Sequence, residues 1–319
     1  MRVLLAGATG TIGSAVASAL ETAGHETVAL VRSADAAAST SSLTSCQAIV
    51  HDLIQGPPPL ASLGNVDAVI SCLGSRTGGM QDAALVEYQA NTHLLTAAEQ
   101  LNAGRFILLS AICVQKPKLE FQRQKLRFEA CLKRADIAHT IVRPTAYFKS
   151  LSGQLPRLVA GKPYLMFGDG RLTACKPISD RDLARFIVEQ LSAPASENRV
   201  LPIGGPGPAI SPKEQGELLW RAVGGVPRYK SVNPRLFLML AGLLKPLCGI
   251  SPWVRDRAEF MRIAHYYATE SMLVWNESEG RYREDLTPEY GTDGLYDHYA
   301  GLLTETPDTR GANPHKLFS

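Results

Sequence analysis

A glycine pattern at the start of the chain constrains the fold more than any other feature of the sequence. The apolar run Arg2–Ala6 is followed by Gly7, Gly10 and Gly13 and then by an alanine-rich helical stretch. Glycines at this spacing permit a tight turn, a close approach of backbone N–H groups to a pyrophosphate, and close packing of helix on strand. The pattern predicts dinucleotide binding; an ordinary strand-to-helix turn is the alternative. The residues predicted to form the cradle are Gly7, Thr9, Gly10, Thr11, Ile12 and Gly13.

The residue after the second predicted strand, Glu26–Val31, indicates which dinucleotide is bound. A fold that prefers NAD usually has a carboxylate there, which binds the ribose 2′-hydroxyl. Arg32 occupies that position, and a guanidinium suits a 2′-phosphate instead. NADPH is therefore the predicted cofactor, with a solvated surface arginine as the alternative.

Strand-like and helix-like segments alternate along the first half of the chain. The apolar runs are 47–51, 68–72, 105–109 and 139–143, and the helical patterns are 82–101 and 118–134. This alternation predicts an α/β fold with a Rossmann-type, doubly wound parallel sheet. We expect residues 1–150 to form an NADP-binding domain. Residues 151–319 are expected to form a smaller substrate lobe, with segments that return to the sheet.

Loops after the strands are predicted to complete the cofactor site, because the carboxyl ends of parallel strands meet at one edge of the sheet. The residues predicted there are Asp52, Leu53, Leu73, Gly74, Ser110, Pro144 and Tyr147. Asp52 is expected near the adenine end, although an acidic residue at the end of a strand is as often a turn former.

The segment from Ser110 to Lys125 predicts the reactive site. Phe121, Lys125, Phe128 and Leu132 share one face of the predicted helix, so a lysine interrupts an apolar stripe. Burying an ammonium costs free energy unless a partner compensates it, which favours a functional Lys125 over a structural, snorkelling lysine. Ser110 and Lys125 keep the places of a familiar reductase site, whereas Phe121 replaces the expected tyrosine. These three residues are the predicted catalytic residues, and Lys125 is also expected to bind the cofactor by a hydrogen bond to the nicotinamide ribose. The substrate should need no phenol that protonates a carbonyl oxygen.

Several segments carry a resemblance to one family. They include SCLGSRTGG, VEYQAN, AICVQKPKLEFQRQKLRFEA, VRPTAYFKSLSGQ and AHYYATESML. From about residue 7 to about residue 291 the chain closely resembles the divinyl chlorophyllide a 8-vinyl-reductases, which are NADPH-dependent, atypical, NmrA-like relatives of the short-chain dehydrogenases. The resemblance implies reduction of the C8 vinyl group of divinyl chlorophyllide a, or divinyl protochlorophyllide a, to ethyl. A non-catalytic NADP(H)-binding regulator or assembly factor is the alternative.

The missing tyrosine agrees with that implied reaction. Hydride added to the terminal vinyl carbon leaves charge delocalised over the tetrapyrrole, so no localised alkoxide needs a phenolic acid. The second carbon still needs a proton, which Lys125, a water molecule or a group in segment 144–150 would supply. Phe121 is expected to pack against the nicotinamide or the macrocycle, or to be an ordinary core residue.

Four residues are predicted to contact the substrate: Arg76, Asn91, Tyr147 and Phe148. Arg76 would meet the propionate carboxylate, or it is a surface arginine in a mobile loop. Asn91 would order water near Lys125, or it is a polar residue of a helix. Tyr147 and Phe148 would form a flat wall for the macrocycle, or they are core aromatics.

Charge and composition bound the remaining partners. The net charge is +3 over 319 residues, with no dense basic run, so no nucleic-acid partner is predicted. The histidines and cysteines show no metal-ligand spacing, and the expected Mg²⁺ is the one inside the substrate. Plant members of the resembling family carry a transit peptide ahead of the glycine loop. The predicted location of this chain is the bacterial cytoplasm.

One apolar segment, Leu236–Ile250, is a candidate for membrane contact. It is too short to span a bilayer and is interrupted by Lys245 and Pro246. A buried or pocket-lining helix is the expected structure. A surface anchor, and hence a peripheral membrane contact, or a hydrophobic lid is the alternative.

Overall fold

The computed structural model describes residues 1–38, 45–194, 197–247, 249 and 251–304. The chain forms two compact units. The first comprises Met1–Arg143 and Asp180–Leu201, and the second comprises Pro144–Ser179 and Pro202–Ser319. The first change between units follows Arg143. The physical reason is that Phe148 already packs in the core of the second unit.

The six predicted strands lie where the sequence predicts them, within about one residue at their ends, and five further strands follow in the second half of the chain. The strands are β1 (Arg2–Ala6), β2 (Glu26–Val31), β3 (Cys46–Val50), β4 (Ala68–Ser71), β5 (Arg105–Leu109), β6 (His139–Pro144), β7 (Tyr164–Phe167), β8 (Arg199–Ile203), β9 (Tyr229–Val232), β10 (Val274–Asn276) and β11 (Arg281–Arg283). A seven-stranded sheet has the order β3-β2-β1-β4-β5-β6-β8. The adjacent strands from β3 to β6 all pair in parallel. The predicted doubly wound Rossmann-type fold is confirmed.

The helices are α1 (Thr11–Thr22), α2 (Ala34–Ala38), α3 (Leu60–Leu63), α4 (Met80–Ala83), α5 (Asn91–Gln100), α6 (Glu120–Leu132), α7 (Phe148–Leu151), α8 (Leu155–Val159), α9 (Asp180–Glu189), α10 (Pro212–Val223), α11 (Arg235–Leu244), α12 (Pro252–Thr269) and α13 (Leu295–Thr304). The helix expected over 82–101 is not regular, because a π-helix over Ala84–Ala90 joins α4 to α5.

The sheet of the first unit is buried between helices. Helix α9 returns from the later part of the chain and packs against α1. The core cluster that contains Phe106 of β5 also contains Leu94 of α5 and Phe128 and Leu132 of α6. Because α5 and α6 pack there through their apolar residues, their few polar inward side chains are brought together beside the ends of the central strands.

The second unit has its own core, in which Phe148, Tyr164, Trp220 and Tyr299 are buried together. Helix α10 begins with a capping box, as its sequence indicates: the Ser211 hydroxyl accepts from the backbone N–H of Glu214, and the Glu214 carboxylate accepts from Ser211.

Helix α11 differs from the expected buried helix. Of its ten residues only Ala241 is buried, while Leu236, Leu238, Met239, Leu240 and Leu243 are exposed. The apolar content of the segment is not explained by packing inside its own unit. No helix among the described residues is long and apolar enough to cross a membrane.

Candidate functional site

The glycine loop after β1 has the geometry of a phosphate cradle. Gly7 has a φ of +84°, and a Cβ there would lie 2.6 Å from the carbonyl oxygen of Cys72. A Cβ on Gly13 would lie 1.9 Å from the carbonyl oxygen of Gly7, so only glycine lets α1 approach β1 this closely. Gly10 precedes α1 and offers no side-chain cap. The start of α1 is therefore open to an anionic group, and the predicted residues fit a dinucleotide.

The predicted adenine end contains one exposed cation and one turn former. Arg32 lies directly after β2 with an exposed side chain. The Asp52 carboxylate accepts from the backbone N–H of Ile54 at 3.1 Å, so it stabilises its own turn. Leu53 is buried next to it. Arg32 is thus an exposed cation at the end of β2, whereas Asp52 already has a structural partner.

Lys125 forms a buried ion pair that no sequence pattern pointed to. Its ammonium donates to a carboxylate oxygen of Glu87 at 2.7 Å, and the side chains are 13% and 3% exposed. The other carboxylate oxygen of Glu87 accepts from the backbone N–H and the hydroxyl of Ser75, both at 2.8 Å. The carboxylate of Glu87 compensates the cost of burying the Lys125 ammonium. Within the described residues, this hydrogen bond uses one of the three N–H donors of Lys125.

Glu87 lies in the π-helix, and Asn91 stabilises that irregular turn. The Asn91 amide donates to the carbonyl oxygens of Val86 and Glu87 at 3.2 and 3.0 Å, and accepts from the hydroxyl of Ser71 at 2.5 Å. The amide of Asn91 therefore already has protein partners on both its oxygen and its nitrogen. Single π-helical turns occur frequently at functional sites, and here the turn carries the counter-ion of Lys125.

Ser110 lies in a second buried charge network. Its hydroxyl donates to Glu129 at 2.6 Å, and the guanidinium of Arg143 donates to both oxygens of the same carboxylate. Glu129 is buried on α6. This network holds the end of β5 against α6, so Ser110 is fixed in place from both sides.

The two networks meet at one narrow pocket. It is lined by Glu87, Asn91, Leu108, Leu109, Ser110, Lys125 and Phe128. The space between them is too small to accept a water molecule, and the Glu87 carboxylate is nearly fully buried while the Lys125 side chain is 13% exposed. Phe121 is buried on the same helix but lies outside this lining. The predicted pair Ser110 and Lys125 is therefore brought together.

Burial also affects the thiol beside this pocket. The pKa of Cys72 is raised to about 12 by burial, which outweighs the opposing effect of the nearby Lys125 ammonium. The thiol stays protonated at neutral pH, so it adds no negative charge near the lysine.

The remaining predicted residues lie in different environments. Leu73 is half-buried, whereas Gly74 and Arg76 are exposed in the loop after β4. Pro144 and Tyr147 belong to the second unit, as does Phe148, which is 2% exposed within that core. Phe148 therefore presents no open face in this structure, because Leu155 and Leu158 pack in the same cluster.

Sequence reasoning missed the two glutamates of the site. Glu87 and Glu129 are buried acidic residues on α-helical or π-helical segments that otherwise show polar faces. The sequence gives only a general signal, because a lysine in an apolar stripe requires a carboxylate somewhere in the fold. Nothing in the sequence indicates which of the many acidic residues supplies it.

The fold and the glycine cradle define the general class of protein. A model of an NAD(P)H-binding family matches residues 7–194, which is more than half of the chain. The chain belongs to this NAD(P)H-binding family. The NADPH-dependent quinone oxidoreductase QOR2 from Escherichia coli, solved with NADPH, has a TM-score of 0.67 at 16% identity and covers 94% of this chain and 99% of its own. At that identity the likeness shows the fold alone.

The sequence relatives define the particular family. Divinyl chlorophyllide a 8-vinyl-reductase of Oryza sativa subsp. indica is 43% identical over 318 residues, which is 95% of this chain and 78% of the relative. The chain belongs to the divinyl chlorophyllide a 8-vinyl-reductase family. A more distant relative, the photosystem II assembly factor Ycf39 of Trieres chinensis, is 24% identical over 269 residues, 82% of each chain.

Proposed function

We propose that this chain reduces the C8 vinyl group of divinyl chlorophyllide a, or of divinyl protochlorophyllide a, to ethyl in (bacterio)chlorophyll biosynthesis. The observation that carries the proposal is the 43% identity, over 95% of the chain, to the rice reductase. The assembly factor Ycf39 matches at 24% identity. The difference favours a reductase over the non-catalytic alternative.

The proposed hydride donor is NADPH. The open cradle at the start of α1 suits a pyrophosphate, and the exposed Arg32 after β2 suits the 2′-phosphate that distinguishes NADPH from NADH. Both features lie at the carboxyl edge of the same parallel sheet as Ser110, where a nicotinamide is expected in this fold.

Reduction of a vinyl group to ethyl requires a hydride and a proton. NADPH would supply the hydride when bound, and the terminal vinyl carbon would accept it. We assign Lys125 the transfer of the proton to the second carbon, because its ammonium keeps N–H donors that Glu87 does not use. The reaction needs no acidic group at the position of Phe121, since the negative charge of the intermediate would be spread over the macrocycle.

Glu87 is proposed as a positioning residue rather than a catalytic one. Ser75 donates twice to one of its oxygens, so the other oxygen is held toward Lys125. Ser110 is held in turn by Glu129 and Arg143. Both predicted reactive side chains are thus pre-oriented by buried carboxylates, which reduces the reorganisation that the reaction needs.

We propose contacts with the macrocycle separately for each unit. In the first unit, exposed Arg76 is assigned the propionate carboxylate, and Asn91 acts through the π-helix that holds Glu87. In the second unit, half-buried Tyr147 is retained as a candidate contact, whereas the core position of Phe148 favours a structural role. The bacterial cytoplasm remains the proposed location.

The decisive experiment is turnover with the purified chain. Incubation with NADPH and divinyl chlorophyllide a should consume NADPH and give a product with the retention and Soret band of the 8-ethyl pigment. NADH at the same concentration is the matched control and should react more slowly. Cofactor binding without any pigment conversion would contradict the reductase and favour the regulator or assembly factor.

A further inference from the structure

An exposed apolar face on α11 is not used by the proposed reaction. Leu236, Met239, Leu240 and Leu243 are spaced at i, i+3, i+4 and i+7, so they share one side of the helix. All four are exposed, with Met239 and Leu243 at 67% and 74%. We call these four residues the apolar face.

The opposite side of α11 holds the helix to its own unit. Ala241 is buried there, and the ring of Phe237 packs edge-on against Phe167 of β7 with centroids 5.7 Å apart. Helix α11 also packs against α12. The apolar face is therefore a surplus of apolar surface on an already anchored helix, and such surplus marks an interaction site.

Exposed basic side chains, which we call the basic flanks, lie at the ends of α11 and on α12, the helix that packs against it. Arg235 and Lys245 lie at the two ends of α11, and Arg255 and Arg257 lie in the first turns of α12; all four are exposed. Between residues 235 and 262 the chain has five basic residues and two acidic ones, of which Glu259 is buried beside Arg262. The surface around the apolar face is consequently positive, and it complements an anionic partner.

Trp253 adds an amphipathic aromatic group to this surface. It is 64% exposed, and the guanidinium of Arg257 lies 5.2 Å from the centre of its ring. Tryptophan is enriched at the boundary between lipid headgroups and hydrocarbon, where its ring meets both environments.

We propose that the apolar face and its basic flanks dock on the surface of an anionic lipid bilayer. A single amphipathic helix with leucines on one side and basic residues beside them inserts into the headgroup region without spanning the membrane. A second copy of the chain fits less well, because a two-fold interface would oppose two positive rims. The inference does not depend on the reductase activity.

Vesicle binding tests the inference directly. The full chain should co-sediment with phosphatidylglycerol–phosphatidylcholine vesicles, weakly with pure phosphatidylcholine vesicles, and less as NaCl rises. M239E/L243E should lower the vesicle affinity at least tenfold. The matched control is V159E/L286E, which adds the same charge at exposed apolar positions elsewhere in the same unit and should bind like the parent.

Two further measurements separate the electrostatic and interfacial parts. R255E/R257E should abolish the preference for anionic vesicles. Vesicles should shift the tryptophan emission to the blue, and this shift should be largely lost in Trp253→Phe, because Trp253 is exposed whereas Trp220 is buried and Trp275 is half-buried.

Three outcomes would overturn the proposal. The first is equal vesicle binding by M239E/L243E and its control. The second is no vesicle binding by a chain whose self-association, measured by sedimentation velocity, disappears in M239E/L243E; the apolar face would then join two copies. The third is neither vesicle binding nor self-association, which would leave a protein partner.

Discussion

Charged side chains usually lie at a protein surface and apolar side chains in its core, and each unit departs from this rule in a different way. The first unit buries charges, with the nearly fully buried carboxylate of Glu87 paired to the mostly buried ammonium of Lys125. The second unit exposes apolar side chains, with the apolar face of α11 in contact with solvent. A buried charge and an exposed apolar side chain each lower the free energy of unfolding relative to a buried apolar side chain. The comparison teaches that chemistry is expected where charges are buried, and association where apolar groups are exposed.

The largest effect is expected from breaking the buried pair. Lys125→Met should lower turnover at least tenfold, which corresponds to about 1.4 kcal/mol in the barrier. It should also lower the free energy of unfolding by about 3–5 kcal/mol, because the carboxylate of Glu87 is left buried and unpaired. Urea denaturation and steady-state kinetics measure the two effects separately.

A double variant separates folding from chemistry in this prediction. Lys125→Met combined with Glu87→Gln should recover much of the lost stability, since a neutral amide can still accept from Ser75. Turnover should not recover. Recovery of turnover together with stability would show that Lys125 is only a structural lysine.

The cofactor end of the same unit gives the next largest effect. Arg32→Glu should raise the Kd for NADPH at least tenfold, about 1.4 kcal/mol, and change the Kd for NADH much less. Fluorescence titration measures both constants. Arg123→Glu, which makes the same charge change at an exposed side chain of α6, should leave both unchanged. Equal losses for NADPH and NADH would remove Arg32 from the 2′-phosphate site.

In the second unit, loss of a helix cap should have a smaller effect than the variants of the first unit. Ser211→Ala should lower the free energy of unfolding by about 1 kcal/mol. Hydrogen bonds from Ser211 lower the pKa of Glu214 below its ordinary value of 4.5. The stabilisation is therefore present above about pH 4.5 and is lost as the pH falls through the lowered pKa of Glu214. Urea denaturation across this range should show the difference from Ser211→Ala shrinking at low pH.

The smallest effect is expected at the apolar face. Leu243→Ser should change the free energy of unfolding by less than about 0.5 kcal/mol, because the side chain is already exposed. Trp220→Ala, in the core of the same unit, should cost about 3–5 kcal/mol. A large destabilisation by Leu243→Ser would mean that this leucine packs within the unit, and the contrast between the units would fail.

Local patterns determined much of this protein in advance. The glycine spacing after β1 predicts the phosphate cradle because a Cβ at Gly7 or Gly13 would clash with nearby backbone atoms. The apolar stripe of α6 places Lys125 toward the core because a helix repeats every 3.6 residues. The parallel order of the strands follows from their alternation with helices. None of these inferences requires knowledge of a distant residue.

Tertiary structure decided what depends on pairs far apart in the chain. Glu87 lies 38 residues before Lys125. The π-helix that positions Glu87 is stabilised by the side chain of Asn91. The expectation of a buried helix over α11 was wrong, because its periodicity shows an apolar side but not whether another element covers it. Hydrophobic spacing is a property of one helix, whereas ion pairing and burial are properties of the elements that pack against it.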